Sequence, residues 1–173
     1  MAIMIPGMET KEDFNFSGGE LLLYELLRQL PDDYYVFHST HWNEQRRRSE
    51  YSARKYVQWG EADFTIFHPS YGFIVFEVKD GLISFSRERG WIQTNRSNGM
   101  DKTIDPMDQA ERSKYYFLDR IKARFGGQSP YTFCSAVWFT AGDRANIEGN
   151  LPLNYKEEIV LWSNDLQSVA AAE

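Results

Sequence analysis

Residues 60–80, GEADFTIFHPSYGFIVFEVKD, constrain this chain more than any other stretch. Phe64, Ile66 and Phe67 on one side, and Phe73, Ile74, Val75 and Phe76 on the other, flank Pro69, Ser70, Tyr71 and Gly72. β-Branched and aromatic residues favour extended backbone, and Pro and Gly favour the turn between, so the segment predicts a β-hairpin. A hairpin centred near Ser70 pairs residues whose numbers sum to about 140. Asp63 then faces Glu77, and Lys79 shares the face of Glu77 because strand side chains alternate. Two carboxylates with Cβ atoms roughly 5 Å apart repel each other unless something neutralises them. A bound divalent cation does so, and a lysine beside such a pair is one way to build a hydrolytic metal site. The plainer alternative is a structural ion pair between Lys79 and one of the acids.

The rest of the chain supplies elements to pack around the hairpin. Residues 1–16 read as an arm or edge segment. Ser17, Gly18, Gly19 and Glu20 have capping-box spacing, and Leu23, Leu26, Leu27 and Leu30 follow at helical intervals until Pro31. Tyr34, Tyr35, Val36 and Phe37 predict a strand running towards Trp42. Residues 43–55, NEQRRRSEYSARK, read as a polar loop and form the most basic stretch, with Arg46, Arg47, Arg48, Arg54 and Lys55. Beyond Asp80 and Gly81, residues 82–85 and 91–93 predict a second hairpin, and residues 94–104 a polar segment with a turn at Asn98 and Gly99. Asp105 and Pro106 start a helix expected to reach about Phe125 with Ala110, Phe117, Ile121 and Phe125 inward. Gly126 and Gly127 end it. Residues 131–139 suit a strand buried on both faces, residues 159–162 a short last strand, and residues 163–172 a short helix. The expected fold is α/β: a mixed central sheet flanked by helices, in one domain over 1–173 with its core at about 17–166.

Composition narrows the class. With 173 residues, 42% of them apolar and 16% aromatic, the chain can bury a core without disulfides. Its one cysteine, Cys134, excludes a multi-cysteine metal site. No segment has the length to span a bilayer and the opening residues lack a signal-peptide pattern, so the expected setting is cytoplasmic, without a membrane partner. The formal charge of −6 disfavours a general polyanion binder. Local patches govern phosphate contacts, however, and the arginine-rich stretch ahead of the hairpin is the candidate nucleic-acid contact. His38 and His41, three apart on a strand, point to opposite faces and read as structural or surface residues, with His68 flanking the turn.

The hairpin string resembles the nuclease-related domain, found alone or fused to helicases, topoisomerase-type modules and kinases within the restriction-endonuclease-like superfamily. That superfamily carries an acid on one strand and (D/E)-x-K on the next, matched here by Asp63 and by Glu77, Val78 and Lys79. The family's acid in the first helix is matched by Glu20, and its glutamine in the second helix by Gln109. The chain departs at Asp80, where relatives tend to have glycine, and in its long basic stretch. The resemblance implies a metal-dependent nuclease acting on DNA, in a DNA-processing or phage-defence system, with a helicase as a candidate partner. It implies Mg²⁺, with Mn²⁺ as a substitute, held by Asp63, Glu77 and the Val78 carbonyl, and a role for Glu20 at a bound water or second ion. Lys79 would orient the attacking water and stabilise phosphate charge. Glu20 has a bland alternative as a capping-box residue, and Gln109 as a solvated first-turn residue. The other reading of the whole chain is a catalytically silent nucleic-acid-binding or assembly module that keeps the fold.

Overall fold

The computed structural model describes residues 1–7, 14, 17–47, 55–147 and 149–166, with backbone alone at Arg46, Arg47, Lys55 and Asn146. In chain order the elements begin with β1 (Ile3–Ile5), α1 (Gly18–Leu27), β2 (Tyr35–Arg47), β3 (Lys55–His68) and β4 (Gly72–Lys79). There follow β5 (Leu82–Ser86), β6 (Gly90–Thr94), β7 (Asp101–Ile104), α2 (Pro106–Arg124), β8 (Phe133–Phe139) and β9 (Val160–Leu161). The main sheet has the order β1-β2-β3-β4-β8-β9. β3 runs antiparallel to both β2 and β4, whereas β1 is parallel to β2, and β8 and β9 continue parallel to β4. The hairpin adopts the expected register: Phe64 pairs with Phe76, Thr65 with Val75 and Ile66 with Ile74.

Alternation along these strands sends residues to two different layers. Val36, Phe64, Ile66, Phe76, Val78 and Trp138 pack beneath α1 against Leu23, Leu26, Leu27 and Leu30, so the apolar stripe legible in α1 is the one it buries. Val137 and Phe139 face the other way, into a cluster with Met107 of α2, Tyr155, and Ile83, Phe85, Trp91 and Ile104 of the small β5-β6-β7 sheet. Thus α1 covers one face of the main sheet, while α2 and the small sheet cover the other. No helix among the described residues is long and apolar enough to cross a membrane.

Four expectations change. Residues 43–47 and Lys55 belong to strands rather than a loop, with Trp42 opposite Gly60 and Arg47 opposite Lys55. The two strands satisfy each other's backbone groups beyond the edge of the sheet, so no apolar periodicity is needed to hold them extended. Arg48 and Arg54 lie outside the described residues. Within the polar 94–104 segment, β7 pairs with β6; its four residues offer too short a pattern to read. Phe125 forms the C-cap of α2 and is exposed, because the end of the helix runs past the buried layer. Residues 163–165 form a turn, and residues 167–172 of the expected last helix lie outside the described residues.

Candidate active site

The antiparallel pairing of β3 and β4 begins at Phe64 and Phe76, so Asp63 and Glu77 form the next row, where the strands part. Beyond that row β4 continues against β8, with Glu77 opposite Val137 and Lys79 opposite Phe139. The ladder between β2 and β3 passes over the same position, with His38 opposite Phe64, then Thr40 opposite Ala62. The skipped Ser39 has a φ of +50°, left-handed backbone that is uncommon for a residue with a Cβ. The Asp63 carboxylate takes over where pairing stops: its Oδ2 accepts the Val78 N–H at 2.7 Å.

Glu77 is almost fully buried and its Oε1 accepts a hydrogen bond from Lys79 Nζ. Its Oε2 is buried with no partner, one of four such side-chain atoms among the described residues and the only one on a carboxylate. Leaving such an oxygen unsatisfied costs about 1–3 kcal/mol or more. Burial pushes the Glu77 carboxyl up to about 8, aided by repulsion from Asp63 and Glu61 and opposed by Lys79. Burial likewise pushes Asp63 up to about 6, opposed by Lys79 and the Val78 N–H and aided by Glu20 and Glu61. Desolvation and like charge outweigh the lysine at both carboxyls.

Glu20 reaches this region because Gly19 lets α1 approach the sheet. A Cβ on Gly19 would lie 2.7 Å from Thr140 Cγ2 and 3.1 Å from Val78 Cγ1. Ser17 caps α1 by accepting the Glu20 N–H, but the reciprocal half of a capping box is replaced. The Ser17 N–H donates to the Phe14 carbonyl, and the Glu20 carboxylate bonds to His38 Nε2 at 2.9 Å. His38 is buried. Its link to Glu20 is not apparent in the sequence, where the two are eighteen residues apart on different elements.

Gln109 sits elsewhere. The start of α2 is fixed by Asp105, which caps Asp108 and accepts from the Tyr155 hydroxyl, while that hydroxyl accepts the Met107 N–H. One turn on, Gln109 lines a hollow of about 110 Å³ with Trp42, Trp59, Glu61 and Arg112. Glu61 is the neighbour that sequence reasoning omits: it accepts from Ser39 Oγ at 2.5 Å, stands 3.7 Å from His41 Nδ1, and repels both Asp63 and Glu77. Strand alternation from Asp63 points to it. The structure therefore brings Asp63, Glu77 and Lys79 together, sets Glu20 within electrostatic reach of Asp63, and puts Gln109 beside Glu61. Asp80 is tied to scaffold atoms, its Oδ1 accepting from Gly81 N and Thr140 Oγ1 at 2.7 and 2.9 Å. Of the basic stretch, the described part is the strand backbone at Arg46, Arg47 and Lys55.

Among the described residues no three His, Cys, Asp or Glu side chains converge on one metal position. Asp63 and Glu77, with an orphaned carboxylate oxygen between strands that part, are instead a sparse, hard-oxygen donor pair. Such a pair suits an ion that retains most of its waters, as Mg²⁺ does. A family model described as nuclease-related domain matches residues 17–140. Comparisons with curated proteins and with solved structures gave no match.

Proposed function

The chain belongs to the nuclease-related domain family of the restriction-endonuclease-like superfamily, and on that premise we propose that it is a metal-dependent nuclease hydrolysing phosphodiester bonds of DNA. The observation that carries this reading is the buried, unpartnered Oε2 of Glu77 beside Asp63 and Lys79. In the proposed enzyme Asp63, Glu77 and the Val78 carbonyl would hold Mg²⁺, with Mn²⁺ as a substitute. When bound, the ion supplies Lewis-acid polarisation and a more acidic water.

The side chains divide the remaining work. Asp63 is half-buried at the open end of the hairpin and keeps its orientation through the Val78 N–H, so it can receive a metal ion without moving. Lys79 carries three donors on a flexible stem and is anchored by Glu77; it orients the attacking water and donates to the phosphate oxygens as charge develops there. Glu20 spends Oε2 on His38, leaving Oε1 to accept from a water. The setting we propose is cytoplasmic DNA processing or phage defence, with a helicase domain or subunit as partner; its support is the company in which the family occurs.

The test is degradation of single-stranded, duplex and nicked DNA with Mg²⁺, Mn²⁺ or chelator. Cleavage should need the metal and vanish in Glu77→Ala and Lys79→Ala while the proteins stay folded. Wild-type protein inert on every substrate would replace this reading with the silent binding module.

A further inference from the structure

The ribbon formed by β2 and β3 carries an aromatic residue that the fold does not use. Of the chain's five tryptophans, Trp138, Trp91 and Trp42 are at most 5% exposed, whereas Trp59 is 72% exposed. Trp42 stacks on Tyr116 and donates to Ser113 Oγ. Trp59 pairs with Asn43 through the strand ladder, but its side chain makes no ring contact or hydrogen bond with the described residues. Tyr56 and Val57 beside it are also about half exposed. Three large apolar side chains within four residues, open to water, call for an occupant.

Position and charge identify the occupant. Trp59, Glu61 and Asp63 alternate along one strand and share a face, and four residues of strand separate Trp59 from Asp63 by about 13 Å. That distance is about four stacked nucleotides. Past the end of its pairing with β4 at Phe64, β3 has β2 as its one strand neighbour among the described residues, with Ser113 Oγ of α2 donating to the Glu61 carbonyl, so the ribbon leads from solvent to the carboxylates without another strand in the way. Residues 43–59 hold five cations against two anions, in a chain of net charge −6. Arg112 also borders the hollow that Trp59 lines, its guanidinium paired with Asp108 at 2.8 Å. A cation-rich sequence next to an exposed indole is the chemistry that holds single-stranded nucleic acid.

We propose that Trp59 is a stacking platform for an unpaired base of the substrate strand a few nucleotides from the scissile phosphate. The proposal rests on the nuclease reading and deepens it: an indole can stack only on a base whose face is free, which the interior of a duplex denies. The substrate at that point is therefore a single strand, a flap or a frayed end.

Binding of a labelled single-stranded oligonucleotide and of the blunt duplex of the same sequence, with Ca²⁺ in place of Mg²⁺, tests this on the full chain. Trp59→Ala should weaken single-strand binding between about fivefold and a hundredfold, and Trp59→Phe should keep most of it. Duplex affinity should move by less than about twofold, within the scatter of a surface substitution. Unchanged single-strand affinity, or an equal loss on both ligands, overturns the proposal. So does a wild-type dimer in sedimentation that Trp59→Ala dissolves, which would make the ribbon a contact between copies. Cleavage of the same oligonucleotides in Mg²⁺ is a separate measurement. Its absence, with Trp59-dependent single-strand binding intact, removes the nuclease reading and leaves the platform standing.

Discussion

The two halves of β3 differ more than any other neighbouring segments of the molecule. From Phe64 onward the strand lies between β2 and β4, and Phe64, Thr65 and Ile66 are buried. Before Ala62 it has β2 as its hydrogen-bonded neighbour, and Tyr56, Val57 and Trp59 face water. Asp63 stands where one regime gives way to the other. That location gives its carboxyl two properties that rarely coincide: enough burial to raise its affinity for a proton, and enough access to meet a ligand. A carboxylate deeper in the sheet would be sealed, and one further out on the ribbon would be solvated and weakly perturbed. The comparison teaches that the site is built from the end of a pairing rather than from a pocket. Fittingly, the apolar hollow of about 290 Å³ between α1 and the turn of the hairpin contains none of these acids.

The largest expected effect breaks the buried side of the comparison. Glu77→Ala and Lys79→Ala should each reduce metal-dependent cleavage by about a hundredfold to a thousandfold, the range for removing one well-placed electrostatic group. Thermal melts of the same proteins distinguish lost chemistry from lost fold, and melting far below the wild type would mean that these residues serve the sheet instead. Next in size is an effect on stability. Glu77 holds its proton up to about 8 against an ordinary 4.5, and Asp63 up to about 6 against 3.8. Between those limits the folded chain binds protons that the unfolded chain has released, so unfolding free energy falls as pH rises from about 4 to about 8. The metal-free protein should therefore be less stable at pH 8 than at pH 5, and Glu77→Gln should recover on the order of a few kcal/mol at pH 8. Chemical denaturation at both pH values measures this. A wild type more stable at pH 8 would mean that Lys79 dominates the pair.

How much of this is legible in the sequence depends on whether the determinants are local. The register that sets Asp63 against Glu77 follows from the position of one turn, and the face of Lys79 follows from alternation, so both can be read from residues 60–80. The α1 stripe and the α2 cap are local as well. What escapes depends on tertiary geometry. Glu20 bonds His38 rather than its own helix start because Gly19 allows a close approach that no spacing rule encodes. Gln109 lies beside Glu61 because Trp42 and Ser113 hold the ribbon to α2. The ribbon itself is polar and aperiodic, and a pattern search for buried faces passes over a structure whose faces are wet.

The ribbon can be broken without touching the acids. Gly60 lies under the Trp42 indole, where a Cβ would come within 2.2 Å of Cζ2. Gly60→Ala must displace that ring from Tyr116 and Ser113, at a cost of about 1–3 kcal/mol. It should lower affinity for single-stranded DNA while leaving metal affinity, read by calorimetry, within about threefold of wild type, the ribbon and the carboxylates being separate contributors. A metal affinity that falls in step with DNA affinity would show that the two halves of β3 act as one unit.

The smallest effect sharpens where the site ends. Asp80 follows Lys79 directly, yet its Oδ1 binds Gly81 N and Thr140 Oγ1, and its Oδ2 lies 3.7 Å from where a Cβ on Gly18 would sit, at the start of α1. A carboxylate at a helix N-terminus is favourable by about 0.3–1 kcal/mol. Asp80→Asn keeps an oxygen for both bonds and removes only the charge, so stability should fall by no more than about 1 kcal/mol. If Asp80 is a clamp between β4, β8 and α1, metal affinity should stay within a factor of about three, since only screened, longer-range charge is lost. A tenfold loss of metal affinity with unchanged stability would instead put Asp80 among the acids that hold the ion, and move the boundary of the site one residue past Lys79.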